Sequence, residues 1–350
     1  MPTERPGEFE FIHALTTPPG AGEGVVLGIG DDAAVLRPRD GRDLVATTDA
    51  FVEQRHFRLD VMTPDVVGAR LARANVSDVL AMGAEPRWAL LSLCVPPSLE
   101  RALVIAIQHR CREALDRSGV AIVGGNVTST DGPLVLNVTL LGDVGRDAQW
   151  SRSGAREGDV LAISGPPGCA AAWMAAALWK NPPSAALVPP GLHERFAAGP
   201  ALDAVTRALV AHGGVGAAID LSDGFTGDLA HLCAASGVGA TIDEAQVPVH
   251  AGVREVARML ASGLASERAD ILPASEQGIV EHLLFGPSDD YELLVALRPE
   301  RAAAALDAAR AAGHPFTIVG RCTGAAGVLR LRRGDGREEP LPGRGYDHFR

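Results

Sequence analysis

Gly28-Ile29-Gly30-Asp31-Asp32, then Thr47-Thr48-Asp49, then His56-Phe57, is the stretch from which the fold is read. An apolar run, Val25-Val26-Leu27, leads into the glycines, and a second, Leu44-Val45-Ala46, leads into the threonines. Both runs read as strands, and both sets of carboxylates are expected just past strand ends. Packing explains acids there poorly. Hard cations explain them better, because carboxylate oxygens gather such ions and the ions gather phosphates.

The chain of 350 residues is long enough for two domains, and its 47% hydrophobic content is ample for their cores. A net charge of −11 argues against nucleic acid as the main partner, since no basic surplus exists to neutralise a phosphate backbone. The N-terminus lacks a signal-peptide core, and the longest apolar run, Cys169 to Trp179, is too short to span a bilayer. The five cysteines, Cys94, Cys111, Cys169, Cys233 and Cys322, have no paired spacing and read as free thiols of a reducing cytoplasm. Lys180 is the only lysine, which excludes a P-loop mechanism.

Outward from the opening stretch, Thr63-Pro64 starts a helix, with Thr63 as cap and Pro64 in the first turn. Val67, Leu71, Ala74 and Asp78 fall on one stripe of it, and Gly83 stops it. Asp78 near an apolar face needs a partner or a metal. Strand, helix and strand follow over Trp88 to Val95, Ser98 to Ser118 and Val120 to Val123. Gly124-Gly125-Asn126-Val127-Thr128 is expected as a loop open to close ligand approach, before a strand from Leu134 to Leu141. The alternation suggests an α/β or α+β unit. The seam at about 146 to 158 places the domains at 1–145 and 146–350. In the second, strand Val160 to Ser164 meets Gly165-Pro166-Pro167-Gly168, either a plain turn or a weak phosphate loop. Asn181 to Pro200 reads as a Pro-rich connection, with a helix after it to His212. Strand Ala217 to Leu221 breaks into Asp220-Leu221-Ser222-Asp223-Gly224 before a helix, and Ser288-Asp289-Asp290-Tyr291-Glu292 precedes strand Leu293 to Leu297.

Acidic clusters therefore recur at Asp31/Asp32, Asp49, Asp78, Asp220/Asp223 and Asp289/Asp290. Any one alone reads as a cap or a solvated turn, and Ser222 or Asp223 could cap the helix that follows. Together they repel one another unless cations intervene, which suits several Mg²⁺ ions with a nucleoside triphosphate. His56 is either a strand-end histidine or a ligand contact. Arg152 is either a surface charge or a bidentate phosphate partner. Residue chemistry alone leads to a Mg-nucleotide enzyme without a P-loop.

The ordered set of motifs resembles the thiamine-monophosphate kinase family, within the aminoimidazole ribonucleotide synthetase-like superfamily. Beyond the opening stretch, the matching residues are Gly7-Glu8-Phe9-Glu10-Phe11-Ile12, Asn75-Val76-Ser77-Asp78 with Ala81-Met82-Gly83-Ala84, and Arg152-Ser153-Gly154. Ala218-Ile219-Asp220-Leu221-Ser222-Asp223-Gly224, Asp290-Tyr291-Glu292-Leu293 and the terminal Gly345-Tyr346-Asp347-His348-Phe349 complete it in collinear order. The resemblance implies a two-domain fold: an N-terminal α/β domain that dimerises through its sheet, and a C-terminal α+β domain. It implies an ATP-dependent kinase that converts thiamine monophosphate to thiamine diphosphate. By similarity, Asp32, Thr47, Thr48, Asp49, Asp78, Asp220 and Asp223 bind Mg²⁺. Gly125, Asn126, Arg152 and Ser222 lie at ATP, and His56 and Asp289 contact the thiamine phosphate. A phosphate oxygen is the nucleophile, so no general base is required.

Three positions depart from the family pattern. Asn126 stands where Asp is usual, Pro287-Ser288-Asp289 where Gly-Gly-Glu is usual, and Gly343 where an aromatic residue often precedes the terminal motif. The ending His348-Phe349-Arg350 lacks the reactive Cys of hydrogenase-maturation relatives, and no Cys precedes Cys94 as selenophosphate synthetase relatives require. The alternatives are a kinase for another small phosphorylated acceptor, or a nucleotide-binding protein that has lost catalysis.

Overall fold

The structure, a computed structural model, describes residues 8–16, 22–179, 184–262, 273 and 275–346. Gly7, Lys180, Leu264 and the Asp347-His348-Phe349 part of the terminal motif lie outside the described residues, as does the start of the connection from Asn181. The chain divides into two compact units, one of Met1–Val79 and Ala84–Ala148, the other of Leu80–Gly83 and Gln149–Arg350.

The N-terminal unit runs α1 (Glu8–Thr16), β1 (Val25–Leu27), β2 (Val35–Leu36), β3 (Arg42–Val52), α2 (Pro64–Ala81), β4 (Glu85–Val95), α3 (Arg101–Arg117), β5 (Ala121–Ser129) and β6 (Val135–Gly145). Four strands form one sheet in the order β3-β6-β4-β5, and β1 pairs with β2 in a separate ribbon. Pairing is antiparallel except between β4 and β5. Along β6, Leu136, Val138 and Leu140 are buried while their neighbours are half-exposed, so one sheet face is covered and the other open. The helix predicted after Thr63-Pro64 is α2. The Val66 N–H donates to Thr63 Oγ1 at 3.4 Å, and Gly83 takes the left-handed φ of 66° just past the helix end. Gly68 of α2 packs tightly against α3: a β-carbon there would lie 2.2 Å from the Ile107 carbonyl oxygen.

Two expectations for this unit give way to longer strands. Thr47-Thr48-Asp49 lies inside β3 rather than past its end, because the pairing with β6 continues to Val52. Residues 124–128 form strand, not loop, because β5 stays paired to β4 as far as Val95 opposite Ser129. The glycines matter for that pairing, since a β-carbon on Gly125 would sit 1.9 Å from the Leu91 carbonyl oxygen. β6 also runs on through Gly142-Asp143-Val144-Gly145. There the fully buried Asp143 is ion-paired to Arg42 Nε at 2.6 Å and lies 3.8 Å from Arg39 Nη1.

The C-terminal unit runs β7 (Val160–Ile163), α4 (Cys169–Ala177), α5 (Pro190–Ala198), α6 (Asp203–His212), β8 (Val215–Asp220), α7 (Phe225–Ser236), β9 (Gly239–Asp243), α8 (Ala251–Ser262), α9 (Glu276–Phe285), β10 (Leu293–Leu297), α10 (Pro299–Ala311), β11 (Thr317–Thr323), β12 (Leu329–Arg332) and β13 (Glu338–Pro340). Its seven-stranded sheet has the order β13-β12-β9-β11-β7-β10-β8, antiparallel except between β12 and β9. Helix α5 interrupts the expected Pro-rich connection, with a proline in its first turn where no N–H is needed.

The turn Gly165-Pro166-Pro167-Gly168 is structural. Asp290 reaches the start of α4 and accepts from the Gly168 N–H at 2.6 Å, the Ala170 N–H at 2.8 Å and Ser288 Oγ at 2.8 Å. The chain thus supplies its own anion where a phosphate would sit. Glu292, two residues on, accepts from Ser164 Oγ and from Arg195 Nη2.

Asp290→Ala is expected to lower stability by about 2 kcal/mol, because it removes a buried helix cap and orphans its donors. Gly68→Ala is expected to lose about 2 kcal/mol through overpacking, against the small helix-propensity gain that Ala brings. Urea unfolding of each variant against the parent chain checks both.

Candidate active site

The N-terminal unit carries a groove of about 660 Å³ on the open side of its sheet. Gly28 to Ala34 form one wall, with Asp31 and Asp32 both exposed. The sheet supplies Ser92, Gly124, Gly125, Asn126, Asn137 and Thr139. Apolar walls beside polar glycine turns suit a flat base attached to an anionic tail.

Strand alternation sorts the β3 candidates onto two faces. Thr48 faces the groove side, where its Oγ1 lies 3.0 Å from Thr139 Oγ1 and donates to the Val138 carbonyl at 3.2 Å. Thr47 and Asp49 point to the other face. Thr47 Oγ1 donates to Asp78 Oδ2 at 2.5 Å, which supplies the partner that the helix stripe demanded. Asp49 is half-buried, and burial pushes its carboxyl above the ordinary value. Among the described residues its carboxylate has no ion pair or hydrogen bond to offset that burial. One ion cannot take side-chain oxygens from both faces of β3, so the candidate ligands of this unit do not form a single cluster.

His56 follows β3 and stacks on Phe51, with ring centroids 5.7 Å apart. Its Nδ1 accepts from the Val52 N–H at 3.0 Å, so in the neutral ring the proton sits on Nε2 as a donor.

In the C-terminal unit, Asp220 ends β8 and is buried at 2% exposure, while Ser222 and Asp223 are half-exposed in the turn to α7. The residue that shapes this turn is Asp228, which sequence reasoning missed. Its Oδ2 accepts from the Asp223 and Gly224 N–H groups, both at 3.0 Å. Burial, then the nearby Asp223 charge, push the Asp228 carboxyl up to about 7, and Arg152 acts in the opposite direction. The signal was present in the sequence: a third Asp, four residues past Gly224, in the first turn of the helix. Arg152 is exposed, and its loop is tied to α7 by Ser236, whose Oγ donates to the Arg152 carbonyl at 2.8 Å. Asp289 is half-buried beside Asp290. Gly343, where the family often has an aromatic residue, has φ 84°, and a β-carbon there would lie 2.0 Å from the Phe285 carbonyl oxygen.

No group of three or more His, Cys, Asp or Glu side chains among the described residues is gathered closely enough to hold a metal alone. Mg²⁺ bound to a polyphosphate needs no such cage. It takes one or two carboxylates and fills its octahedron with phosphate oxygens and water, so the scattered oxygen donors fit that ion.

Family models for the N-terminal and C-terminal domains of AIR synthase related protein match residues 30–144 and 156–331. Thiamine-monophosphate kinase of Escherichia coli (strain K12) is 32% identical over 339 residues, covering 93% of this chain and 92% of its own. The crystal structure of thiamine-monophosphate kinase from Stenotrophomonas maltophilia K279a superposes with a TM-score of 0.73 at 28% identity, over 94% of this chain and 95% of that one. The structure of AaThiL complexed with AMPPCP and TMP superposes with a TM-score of 0.70 at 26% identity, over 100% of each chain. The shared pair of domains and the near-complete coverage are more than a common fold requires: the chain belongs to the AIR synthase related proteins and, within them, to the thiamine-monophosphate kinase family.

Proposed function

We propose that the protein transfers the γ-phosphoryl group of ATP to thiamine monophosphate, giving thiamine diphosphate. A terminal phosphate oxygen of the acceptor attacks the γ-phosphorus, the bond to the β-phosphate oxygen breaks, and ADP leaves with its electron pair. The acceptor oxygen is already ionised near neutral pH, so the chain need only align two anions and offset their repulsion. The observation that carries this reading is the glycine-lined groove on the open face of the N-terminal sheet, with Asp32 and Asn126 in its lining. The AaThiL relative, similar over its whole length, was solved with an ATP analogue and TMP.

In this reading Gly125 and Asn126 border the nucleotide, and the lack of a β-carbon on Gly125 lets β5 stay paired to β4 at that point. Arg152 brings positive charge to the Ser222-Asp223 turn. His56 offers its Nε2 proton to the acceptor phosphate, and Asp289 stands on the acceptor side. Asp32, Thr47, Thr48, Asp49, Asp78, Asp220 and Asp223 are the residues that would hold Mg²⁺, those on opposite faces of β3 serving different ions. When bound, Mg²⁺ neutralises phosphate charge. Asn126 offers a carbonyl oxygen but no charge, which weakens the cation site it borders. The domain limits 1–145 and 146–350 serve as working boundaries for this assignment.

We further infer a homodimer that closes over the open face of the N-terminal sheet. Leu44 at 55% exposure and Leu90 at 37% lie on that face, and Val26, Leu27 and Val35 on the β1–β2 ribbon are 41–51% exposed. A cytoplasmic location agrees with the free cysteines and with the lack, among the described residues, of any helix long and apolar enough to cross a membrane.

The test is thiamine diphosphate formation from thiamine monophosphate, ATP and Mg²⁺, with free thiamine as control acceptor. Product from the monophosphate alone is expected. Nucleotide binding without product would favour the lost-catalysis reading, and product only with other phosphorylated acceptors would favour a paralogue. Asp49→Asn is expected to abolish turnover while circular dichroism and melting temperature stay at the parent values. Asn126→Asp is expected to lower the Mg²⁺ concentration for half-maximal rate by about tenfold, the worth of roughly 1.4 kcal/mol of added attraction. An unchanged Mg²⁺ titration would remove Asn126 from the cation site.

A further inference from the structure

The Asp223 turn is held from a second side by a segment far away in sequence. Residues 342–346 cross the start of α7 as a strap. Thr226 Oγ1 donates to the Pro342 carbonyl at 2.7 Å, and the Tyr346 N–H donates to the Asp223 carbonyl at 3.0 Å. Between these bonds two glycine backbones touch. A β-carbon on Gly227 would lie 2.4 Å from Gly345 Cα and 2.8 Å from Gly345 N. The same region receives the turn before Asp289: a β-carbon on Gly224, whose φ is 109°, would meet the Gly286 carbonyl oxygen at 2.2 Å. Gly343 in turn rests against the Phe285 carbonyl.

Both main-chain polar groups of Asp223 are therefore committed, the N–H to Asp228 and the carbonyl to Tyr346. A residue pinned at both peptide groups has a fixed Cα–Cβ direction, so its side chain leaves the turn along one line. Gly227, in the first turn of α7, leaves the space through which the strap passes.

We propose that the strap of residues 342–346 is a positioning element of the phosphoryl-transfer site, which holds Asp223 oriented toward the cation through the Tyr346 main chain and the Gly227–Gly345 crossing. The proposal rests on the reading of Asp223 as a cation ligand. It assigns no chemistry to the Tyr346 side chain. The strap acts through Asp223, as outer partners of metal ligands do. It also joins the Asp223 turn and the turn before Asp289, so the cation-side and acceptor-side residues of this unit share one mechanical support.

The experiment uses the full chain with Gly227→Ala and, separately, Thr226→Val, which keeps its shape while losing the bond to Pro342. Mn²⁺ binding in the presence of a non-hydrolysable ATP analogue is followed by electron paramagnetic resonance, and Tyr346 amide exchange by NMR. Each variant is expected to bind Mn²⁺ about tenfold more weakly, the usual cost of losing an outer partner of a metal ligand, with faster Tyr346 exchange. Gly227→Ala is expected to lower the melting temperature modestly, because its β-carbon displaces the strap backbone at a helix position where Ala is otherwise favoured. The double variant is expected to be no worse than the weaker single, because both release the same strap. Parent-like Mn²⁺ affinity in a folded variant, or additive losses, overturns the strap proposal. Absence of Mn²⁺–nucleotide binding in the parent chain overturns the kinase reading beneath it. Should Gly227→Ala fail to fold, Thr226→Val carries the same decision.

Discussion

A four-stranded sheet that buries only one of its faces governs the N-terminal unit. Because side chains alternate along each strand, every functional residue on β3 is assigned to the buried side or the open side by its parity alone. Thr47 and Asp49 go with α2 and its Asp78, whereas Thr48 goes with Asn137, Thr139 and the groove. The open face is also where apolar side chains such as Leu44 stay in water. One constraint thus produces the groove, the separation of the candidate ligands and the exposed apolar surface.

The C-terminal unit is governed by carboxylates that serve the chain's own backbone. Asp290 satisfies the start of α4, and Asp228 satisfies the turn that carries Asp223. Each places carboxyl oxygens at a helix N-terminus, where free N–H groups need an acceptor. This divides the labour within neighbouring acids. Asp290 is engaged by the start of α4, and Asp289 beside it is half-buried. It also accounts for a glycine turn that looks like a phosphate loop but is already filled.

Much of this was legible in the residues themselves. Thr63 and Pro64 start α2, Gly83 ends it, and the stripe from Val67 to Asp78 required the partner that Thr47 provides. Local chemistry sufficed because caps, glycine stops and helical periodicity act within a few residues. Elsewhere local signals misled. Gly124-Gly125-Asn126 reads as a loop, yet it is strand, because pairing with β4 outweighs the low strand propensity of glycine and asparagine. The motif around Asp49 reads as a strand end, yet it lies mid-strand for the same reason.

The sequence by itself determined the two-domain plan, the family and the set of acids, because collinear motifs and periodicity are properties of order along the chain. Packing alone reveals which acids are tied up in hydrogen bonds, which strand face each candidate ligand occupies, and that residues 342–346 return to bond the Asp223 main chain. Those facts depend on contacts across more than a hundred residues, such as Thr226 with Pro342. A residue type states what a group can bind; only packing states which partner reaches it first.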